Sequence, residues 1–256
     1  MTGTEGCVIV TGGARRMGGV IARRLVADGY RVIIHHRQSA TDAEAIVAEF
    51  GSAAIAIDQD LSINGAERAL IADARAAFGV PVTGLVNNAS LFEHDFPPLA
   101  DGNAIERHMR VNLTAPVLLA SAMAEQRDLR AGVIVNILDQ KLANLNPDFF
   151  SYTCSKMALA GATRMLAQGF APRIRVNAVA PGLTLPSLDQ TDAEFAAVAG
   201  INLLQRPVGA DQVAGAVAFL LVAQAITGQT LFVDAGQRFL PSGRDVMFST
   251  REAING

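Results

Sequence analysis

The stretch Cys7-Val8-Ile9-Val10-Thr11-Gly12-Gly13-Ala14-Arg15-Arg16-Met17-Gly18-Gly19 decides the fold that we expect for this chain. A short β-branched run leads into a glycine-rich turn, and apolar residues then recur at helical spacing from Val20 to Asp28. A strand, a glycine turn and a helix in this order place a pyrophosphate against the amides of the helix N-terminus. The stretch therefore predicts a dinucleotide site at the start of an α/β fold.

Strand-like and helix-like segments continue to alternate after this turn, which predicts an α/β fold with an open sheet. The further predicted strands are Arg31–His35, Ala53–Asp58, Gly84–Val86, Gly132–Leu138, Arg173–Ala178 and Thr227–Val233. The predicted helices are Ala66–Phe78, Asn103–Gln126, a run ending near Phe170, and Gln212–Ala223 with Asp211 as its cap. No repeat or linker interrupts the chain, so we expect one domain over residues 1–256. A loop with short helices at about residues 183–206 is expected to cover the substrate.

Composition limits the class of protein. The chain has 256 residues, of which 50% are hydrophobic and 18% charged, so a large core is expected. A net charge of −3 provides no basic surface for nucleic acid or anionic membrane. Cys7 and Cys154 have neither pairing nor metal spacing, no signal peptide is evident, and the run from Val213 to Ile226 is too short to span a bilayer. We expect a soluble cytoplasmic protein. Its four histidines do not form a metal-ligand pattern, so we expect no metal site.

A second stretch, Ser151-Tyr152-Thr153-Cys154-Ser155-Lys156, carries a tyrosine and a lysine one helical turn apart. The chain has only two tyrosines and two lysines, so a chance match at this spacing is improbable. A cation beside a phenol lowers the pKa of the phenol, which makes the tyrosine a usable acid. The spacing therefore predicts proton donation by Tyr152 assisted by Lys156.

The residues after the second predicted strand indicate the kind of dinucleotide. A carboxylate at this place would bind the ribose hydroxyls of NAD, whereas an arginine accommodates the extra phosphate of NADP. The chain has Arg37 here, with Ser39 and Arg15 as possible helpers, and no carboxylate. We therefore expect NADPH; the alternative, that Arg37 is an ordinary solvated loop charge, leaves the choice of cofactor open.

Polar residues at the ends of other predicted strands suggest further contacts. Asp60 could bind an adenine edge, and Asn88 has either a direct cofactor role or a purely structural one. Asn112 lies between apolar residues in a predicted helix, so it needs partners, and a water leading to Lys156 would serve. Asp139 ends a predicted strand and faces the helix that carries Tyr152.

These motifs together resemble the short-chain dehydrogenase/reductase family over nearly the whole chain, from Val8 to about Gly236. The resemblance rests on Thr11-Gly12 to Gly18, Asp60, Asn87-Asn88-Ala89, Asn112, Tyr152 with Lys156, Pro181-Gly182, and the ending Ile226 to Gly236. It implies a Rossmann fold with a doubly wound, seven-stranded parallel sheet, Tyr152 as proton donor, Lys156 on the nicotinamide ribose, and Asn112 holding a relay water. The expected cofactor contacts are Gly12, Arg15, Arg16, Met17, Gly18, His36, Arg37, Ser39, Asp60, Leu61, Asn88, Ala89, Ser90, Lys156, Pro181, Gly182 and Thr184.

Three departures from the common family pattern resemble the pteridine reductase branch. Arg16 replaces a glycine of the turn, Ser90 replaces a glycine, and Asp139 replaces the serine that polarises a carbonyl. Phe92 also matches that branch. The resemblance implies a pterin held between Phe92 and the nicotinamide, with Arg16 and Ser90 on its edge and a proton from Asp139 and Tyr152. Taken alone, Arg16 could be merely tolerated and Phe92 could be a plain loop aromatic.

The expected function is NADPH-dependent reduction of a dihydropteridine, with dihydromonapterin, dihydrobiopterin and dihydrofolate as candidates. One alternative is a carbonyl or 3-ketoacyl reductase in which Asp139 is incidental. Another is a non-catalytic NADP-binding regulator, which the complete set of Tyr152, Lys156 and Asn112 disfavours. Enzymes of this kind are commonly homotetramers, so we expect that assembly.

Overall fold

The computed structural model describes residues 6–97, 101–187 and 190–248. Its strands are β1 (Cys7–Val10), β2 (Arg31–His36), β3 (Ala54–Asp58), β4 (Val82–Asn87), β5 (Gly132–Ile137), β6 (Ile174–Pro181) and β7 (Thr230–Val233). They form one sheet in the order β3-β2-β1-β4-β5-β6-β7, and every neighbouring pair is parallel. The predicted seven-stranded parallel α/β fold is confirmed, and the assignment of residues 1–256 to one domain stays a prediction.

The helices are α1 (Arg16–Ala27), α2 (Ala40–Phe50), α3 (Ala66–Phe78), α4 (Gly102–Met109), α5 (Ala115–Ala124), α6 (Phe150–Phe170), α7 (Asp192–Val198) and α8 (Ala210–Val222). They cover both faces of the sheet. Successive residues of each strand point to opposite faces, so the sheet packs against helices on both sides. Val8 and Val10 pack with α1 and α8 on one face, and Ile9 packs with α3 and α5 on the other. The continuous apolar runs of the sequence are thus explained by burial on both faces.

Three details differ from the sequence predictions. The helix expected over Asn103–Gln126 runs from Gly102 to Ala124 and contains a π-helical turn at Arg110–Thr114. Asp211 is not a helix cap, because α8 begins one residue earlier with Gly209 at the N-cap. Helix α2 was not predicted, since its buried residues, Ala43 and Ile46, give only a narrow apolar face.

The segment expected to cover the substrate contains one short helix in its described part. Helix α7 begins with a capping box, in which Thr191 Oγ1 accepts from the Glu194 N–H and Glu194 accepts from the Thr191 N–H. This agrees with the expected loop with short helices, apart from residues 188–189, which lie outside the described residues.

The parallel arrangement brings the ends of the strands together at one edge of the sheet. Chain order reverses between β1 and β4, because β2 and β3 lie on one side of β1 and β4 to β7 on the other. Ligands bind at such a switch point, beyond the carboxyl ends of the strands. The glycine turn, Asn88 and Gly182 directly follow β1, β4 and β6, and Asp139 lies two residues beyond β5, so all of them share this edge.

Candidate active site

Asp139 and Tyr152 form a hydrogen-bonded pair at the carboxyl end of β5. The Tyr152 hydroxyl donates to Asp139 Oδ2 at 2.9 Å, and the Lys141 backbone N–H donates to Asp139 Oδ1 at 2.8 Å. Asp139 is held in place as the cap of the short 3₁₀ turn Gln140–Ala143, and Tyr152 lies in the first turn of α6. The structure therefore brings together the two groups that the sequence placed opposite one another.

Burial changes the acidity of both groups. It raises the pKa of the Asp139 carboxyl above its usual range, against hydrogen bonds from Lys141 and Tyr152 that favour the carboxylate. Burial and the neighbouring Asp139 charge also raise the pKa of Tyr152 well above its ordinary value. The pKa of Tyr152 is thus raised overall, because desolvation and the neighbouring carboxylates act on it, and its lowering by Lys156 stays a prediction.

Lys156 lies beneath the phenol ring and not beside the hydroxyl. Its Nζ donates to the Ile137 carbonyl at 2.8 Å and lies 5.6 Å from the centre of the Tyr152 ring. Burial lowers the pKa of Lys156 to about 8, although the nearby Asp139 opposes the shift. The ammonium therefore remains the main form at neutral pH, and it lies next to the acid pair.

The buried amide of Asn112 is occupied by protein partners. Its Oδ1 accepts from the Leu91 N–H at 2.7 Å and from Ser90 Oγ at 3.3 Å, and its Nδ2 donates to Leu91 O and Ser155 Oγ at 2.9 and 3.0 Å. Asn112 lies in the π-helical turn, a feature that often marks functional sites. The expected need for partners is met by the Ser90–Leu91 segment and α6; the relay water stays a prediction.

An aromatic wall borders the acid pair. The Phe92 ring stacks on Phe149, with centroids 4.2 Å apart and planes 14° apart, and meets Tyr152 edge-on at 4.7 Å. Phe149 itself has a left-handed backbone with φ of +53°, which ordinary residues adopt at a cost. Phe92 is therefore a ring of the site and not a loop aromatic remote from the chemistry, and one of its two faces is already backed by Phe149.

The glycine turn is shaped for close approach of a ligand and of neighbouring backbone. Gly12 has φ of +61°, and a Cβ on Gly18 would lie 2.0 Å from the Gly12 carbonyl oxygen, so neither position accepts a side chain. Arg16 has φ of +51°, a left-handed conformation that glycine adopts at less cost. Its Nη2 donates to the Pro186 carbonyl at 2.5 Å, so here it connects the turn to the covering segment.

His35 fixes the turn from behind, a role that its loop-or-core assignment from sequence did not include. The Gly12 N–H donates to His35 Nδ1 at 3.1 Å, and His35 Nε2 lies 2.9 Å from the Gln59 carbonyl. These contacts require a neutral ring with its proton on Nε2, and burial lowers the pKa of His35 to about 4. The residues around His35 give no local sign of its bond to Gly12, because Gly12 lies 23 positions away in the glycine turn.

A cleft beside the turn collects most of the predicted cofactor residues. Those on its lining are Gly12, Arg15, His36, Arg37, Ser39, Asp60, Leu61, Ala89 and Ser90. Arg37 lies 3.6 Å from Asp60, whose pKa is lowered by hydrogen bonding to Ser62 and by Arg37. His36 is 5% exposed, and its Nδ1 has no hydrogen-bond partner among the described residues.

Several residues predicted to contact the cofactor make contacts within the protein. Asn88 Nδ2 donates to the carbonyls of Thr11 and Gly12, which supports the structural reading of Asn88. Met17 packs against the core. Gly182 donates to the Val233 carbonyl, and a Cβ there would lie 2.8 Å from Asp234 Cα. Pro181 ends β6, while Thr184 is half-buried in the segment that follows.

This edge of the sheet fits an anionic dinucleotide. Helix α1 begins at the turn, has no acidic residue in its first turn, and its N-cap residue Arg15 makes no side-chain cap bond within the described chain. The first amides of such a helix favour a phosphate group. The adjacent cleft is lined by Arg15 and Arg37, which pair with Asp42 and Asp60, and by the buried His36 imidazole, whose Nδ1 lies 3.8 Å from Asp58. The two guanidinium groups would stabilise a further anion there.

Two kinds of feature are missing from the described part of the chain. No group of three or more histidine, cysteine, aspartate or glutamate residues is arranged to hold a metal ion there. None of its helices combines the length and the apolar character needed to cross a bilayer.

Comparisons with known proteins agree with this geometry. The family model described as short chain dehydrogenase matches residues 6–196. The crystal structure of FolM Alternative dihydrofolate reductase 1 from Brucella canis complexed with NADP is 40% identical and superposes with a TM-score of 0.89, covering 95% of this chain and 98% of that one. The 3beta-hydroxysteroid dehydrogenase 1 of Eggerthella lenta is 34% identical over 91% of this chain and 94% of its own length. The 3-oxoacyl-[acyl-carrier-protein] reductase of Synechocystis is 31% identical over 91% and 97%.

The family model covers most of the chain, its relatives align along nearly their full lengths, and the predicted acid pair and glycine turn meet at one edge of the sheet. The chain therefore belongs to the short-chain dehydrogenase family of oxidoreductases.

Proposed function

We propose that this enzyme reduces a dihydropteridine with NADPH. The observation that carries the proposal is the 2.9 Å hydrogen bond between the Tyr152 hydroxyl and the half-buried Asp139, beside the Phe92 ring. A carboxyl can accept hydrogen bonds from an amine-rich heterocycle or, when protonated, donate to a ring nitrogen, whereas a simple carbonyl needs only a hydroxyl. The 40% identity to an alternative dihydrofolate reductase supports this substrate class.

The cofactor is assigned to the cleft and the glycine turn. Amides at the start of α1 would hold the pyrophosphate, and Arg37, with Arg15 and Ser39 nearby, would bind the additional phosphate of NADPH. Asp60 and Leu61 lie where the adenine is expected, and Lys156 would contact the nicotinamide ribose. Bound NADPH supplies the hydride. NADP in the Brucella canis structure supports the choice of cofactor.

The proton comes from the Asp139 and Tyr152 pair. Hydride adds to the carbon of a C=N bond, so the adjacent nitrogen gains an electron pair and must take up one proton. The pair releases this proton to that nitrogen through the phenol oxygen, and burial raises the pKa of the Asp139 carboxyl that takes part. Lys156, as an ammonium next to the pair, stabilises the negative charge that remains.

The substrate is held by its flat shape and its polar edge. A heteroaromatic ring gains from offset stacking on the Phe92 face that Phe149 leaves open. Arg16 and Ser90 are assigned to the polar edge of the ring, as in the branch that the sequence resembles. The choice among dihydromonapterin, dihydrobiopterin and dihydrofolate belongs to the covering loop at about residues 183–206.

A substrate panel tests the proposal. Purified enzyme is mixed with NADPH and each of the three dihydropteridines, with simple ketones and a 3-oxoacyl thioester in parallel, and NADPH oxidation is followed. We expect turnover of at least one dihydropteridine at a catalytic efficiency above that of every ketone. Oxidation of NADPH with ketones alone would overturn the substrate assignment.

A second candidate is a carbonyl or 3-oxoacyl reductase, which the similarity to the Synechocystis enzyme favours. In that case Asp139 is incidental, and activity on the thioester dominates the same panel. A non-catalytic NADP-binding regulator is the third reading. It predicts tight NADPH binding without turnover of any compound in the panel.

We also propose that the protein is a cytoplasmic homotetramer. Exposed apolar side chains on α8 and β7, namely Phe219, Val222 and Leu231, provide a surface that a second copy would bury. Sedimentation analysis in solution tests the assembly, and a monomer at micromolar concentration would contradict it.

A further inference from the structure

A short segment near the C-terminus, residues 244–248, folds back onto the loop that connects β5 to α6. It is attached through Asp148, whose side chain is 3% exposed. Asp148 Oδ2 accepts from Arg244 Nε at 2.9 Å and from the Asp245 backbone N–H at 2.7 Å, and His94 Nε2 lies 3.7 Å from its other oxygen. Burial makes an Asp148 carboxylate costly unless it is paired, so the segment and the loop stabilise one another.

Lys141 links this segment to the acid pair. The residue is 4% exposed, and its Nζ donates to the Asp148 carbonyl at 2.5 Å and to Asp245 Oδ2 at 3.2 Å. The backbone N–H of the same residue donates to Asp139 Oδ1. One residue thus connects a carboxylate of the C-terminal segment with the catalytic carboxyl, 106 positions apart in sequence (245 − 139).

The same segment also supports the aromatic wall. Phe248 stacks at 6.0 Å and 22° on Phe149, which in turn stacks on Phe92. His94 meets both Phe149 and Phe248 edge-on, at 5.1 and 4.8 Å. Met247, 6% exposed, belongs to the same cluster as Tyr152. One face of Phe92 is therefore backed by Phe149 and, behind it, by Phe248 of the C-terminal segment, and the other face stays open.

We propose that residues 244–248 form a positioning segment for the active site, which holds the Phe92 ring through Phe149 and the Asp139 carboxyl through Lys141. The inference rests on the proposed function in taking Asp139 and Tyr152 as the acid pair and Phe92 as the ring that contacts substrate. Residues 244–248 are not on the lining of the cofactor cleft. Loosening the segment should change substrate binding and acidity without changing cofactor binding.

The charges around Asp139 give the sign of the acidity change. Asp139 faces Lys141 from its own turn, Tyr152 and Lys156 from α6, and Asp245 from the C-terminal segment. Lys141 in turn faces Asp245 and Asp148, and Asp148 faces Arg244 and His94. The Asp245 carboxylate raises the pKa of both Asp139 and Tyr152. Neutralising Asp245 removes that charge and leaves Lys141 less compensated, and both effects lower the pKa of Asp139.

The first experiment compares Phe248→Ala with Phe239→Ala, an exposed phenylalanine outside the cluster. We expect Phe248→Ala to raise KM for the substrate about three- to tenfold, the value of one aromatic contact, with KM for NADPH unchanged. The measurement uses whichever compound of the substrate panel the enzyme reduces. A Phe248→Ala enzyme indistinguishable from the control, or equal changes in both KM values, would overturn the proposal.

The second experiment does not need turnover, so it separates a failure of this inference from a failure of the proposed function. Carbon-13 NMR follows the titration of the Asp139 carboxyl, identified by its loss in Asp139→Asn. Asp245→Asn should lower the pKa of Asp139 by up to about one pH unit, whereas Asp211→Asn on α8 should not move it. If Asp245→Asn does not fold, Arg244→Gln loosens the segment from its exposed side and should alter the Asp139 titration. An Asp139 titration unchanged in every folded variant of the segment would overturn the inference.

Discussion

The Tyr152 hydroxyl donates its hydrogen bond to Asp139, while the lysine one helical turn away, Lys156, donates to the Ile137 carbonyl. Under the proposed function this relationship makes the acid of the enzyme a pair, because the half-buried carboxyl and the phenol share one hydrogen bond. Burial and this hydrogen bond raise the pKa of Tyr152, whereas the raised pKa of Asp139 comes from burial and is opposed by the bond. A serine in place of Asp139 would leave the phenol without its carboxyl partner.

Asp139→Ser is therefore expected to lower kcat for a dihydropteridine by about two to four orders of magnitude, the usual contribution of a positioned acid. Asp139→Asn is the matched control for shape, since it keeps the size but has no proton to release, and should lose as much. Steady-state rates on dihydropteridine and ketone substrates check this. Preserved or increased ketone reduction by Asp139→Ser, together with no dihydropteridine activity in the wild type, would favour a carbonyl reductase.

Lys156→Met should make the free protein more stable. Burial lowers the pKa of Lys156 from 10.5 to about 8, so below pH 8 the folded state carries a charge that the unfolded state solvates better. Burying the charge lowers the free energy of unfolding by about 3 kcal/mol, which the variant recovers. The variant loses the bond to Ile137, worth about 1 kcal/mol, so its net gain in stability is about 2 kcal/mol at pH 7. Wild-type stability rises between pH 8 and 10.5 as this cost is lost, and the variant should lack that rise.

Urea unfolding across this pH range measures the effect. Lys141→Met is the matched control, because the only other lysine of the sequence bonds to Asp245 and Asp148 and should lose stability when replaced. A Lys156→Met protein no more stable than the wild type at pH 7 would contradict the assigned cost of burial.

His35→Phe should make the stability of the protein less sensitive to acid and should also remove the side-chain bond that holds the Gly12 N–H. The pKa of His35 is lowered from 6.5 to about 4, so its contribution to stability is present above pH 6.5 and is lost as the pH falls toward 4. Wild type should lose about 2 to 3 kcal/mol between pH 7 and 4.5 that the variant does not lose. The unpaired Gly12 N–H should also raise KM for NADPH. Equal pH dependence of urea unfolding in both proteins would rule out a neutral His35.

Arg37→Asp should shift cofactor preference toward NADH. Loss of a charge-assisted bond to the extra phosphate and repulsion by the new carboxylate lower kcat/KM for NADPH by about 10- to 100-fold, with a smaller change for NADH. Arg68→Asp is the control, since Arg68 pairs with Glu125 and is not on the lining of the cleft. The ratio of the two efficiencies is the measured quantity, and an unchanged ratio would remove Arg37 from the phosphate site.

Local sequence was sufficient for most of the fold. Periodicity predicted α3 with its exact bounds and all seven strands within a few residues, because burial on two faces demands continuous apolar runs. The pattern failed where the local signal was weak, as in α2 with its two buried residues, and at Asp211, which lies in the first turn of α8 and not at its N-cap.

By itself, the sequence determined the glycine turn, the order of the strands along the chain and the spacing of Tyr152 and Lys156, since turn chemistry and helical periodicity are local. Only the tertiary structure decided the acidity of that tyrosine, the bond from Gly12 to His35 and the contact of Lys141 with Asp245. Each of these depends on burial or on a partner from a distant segment, and neither desolvation nor a long-range hydrogen bond leaves a mark on neighbouring residues.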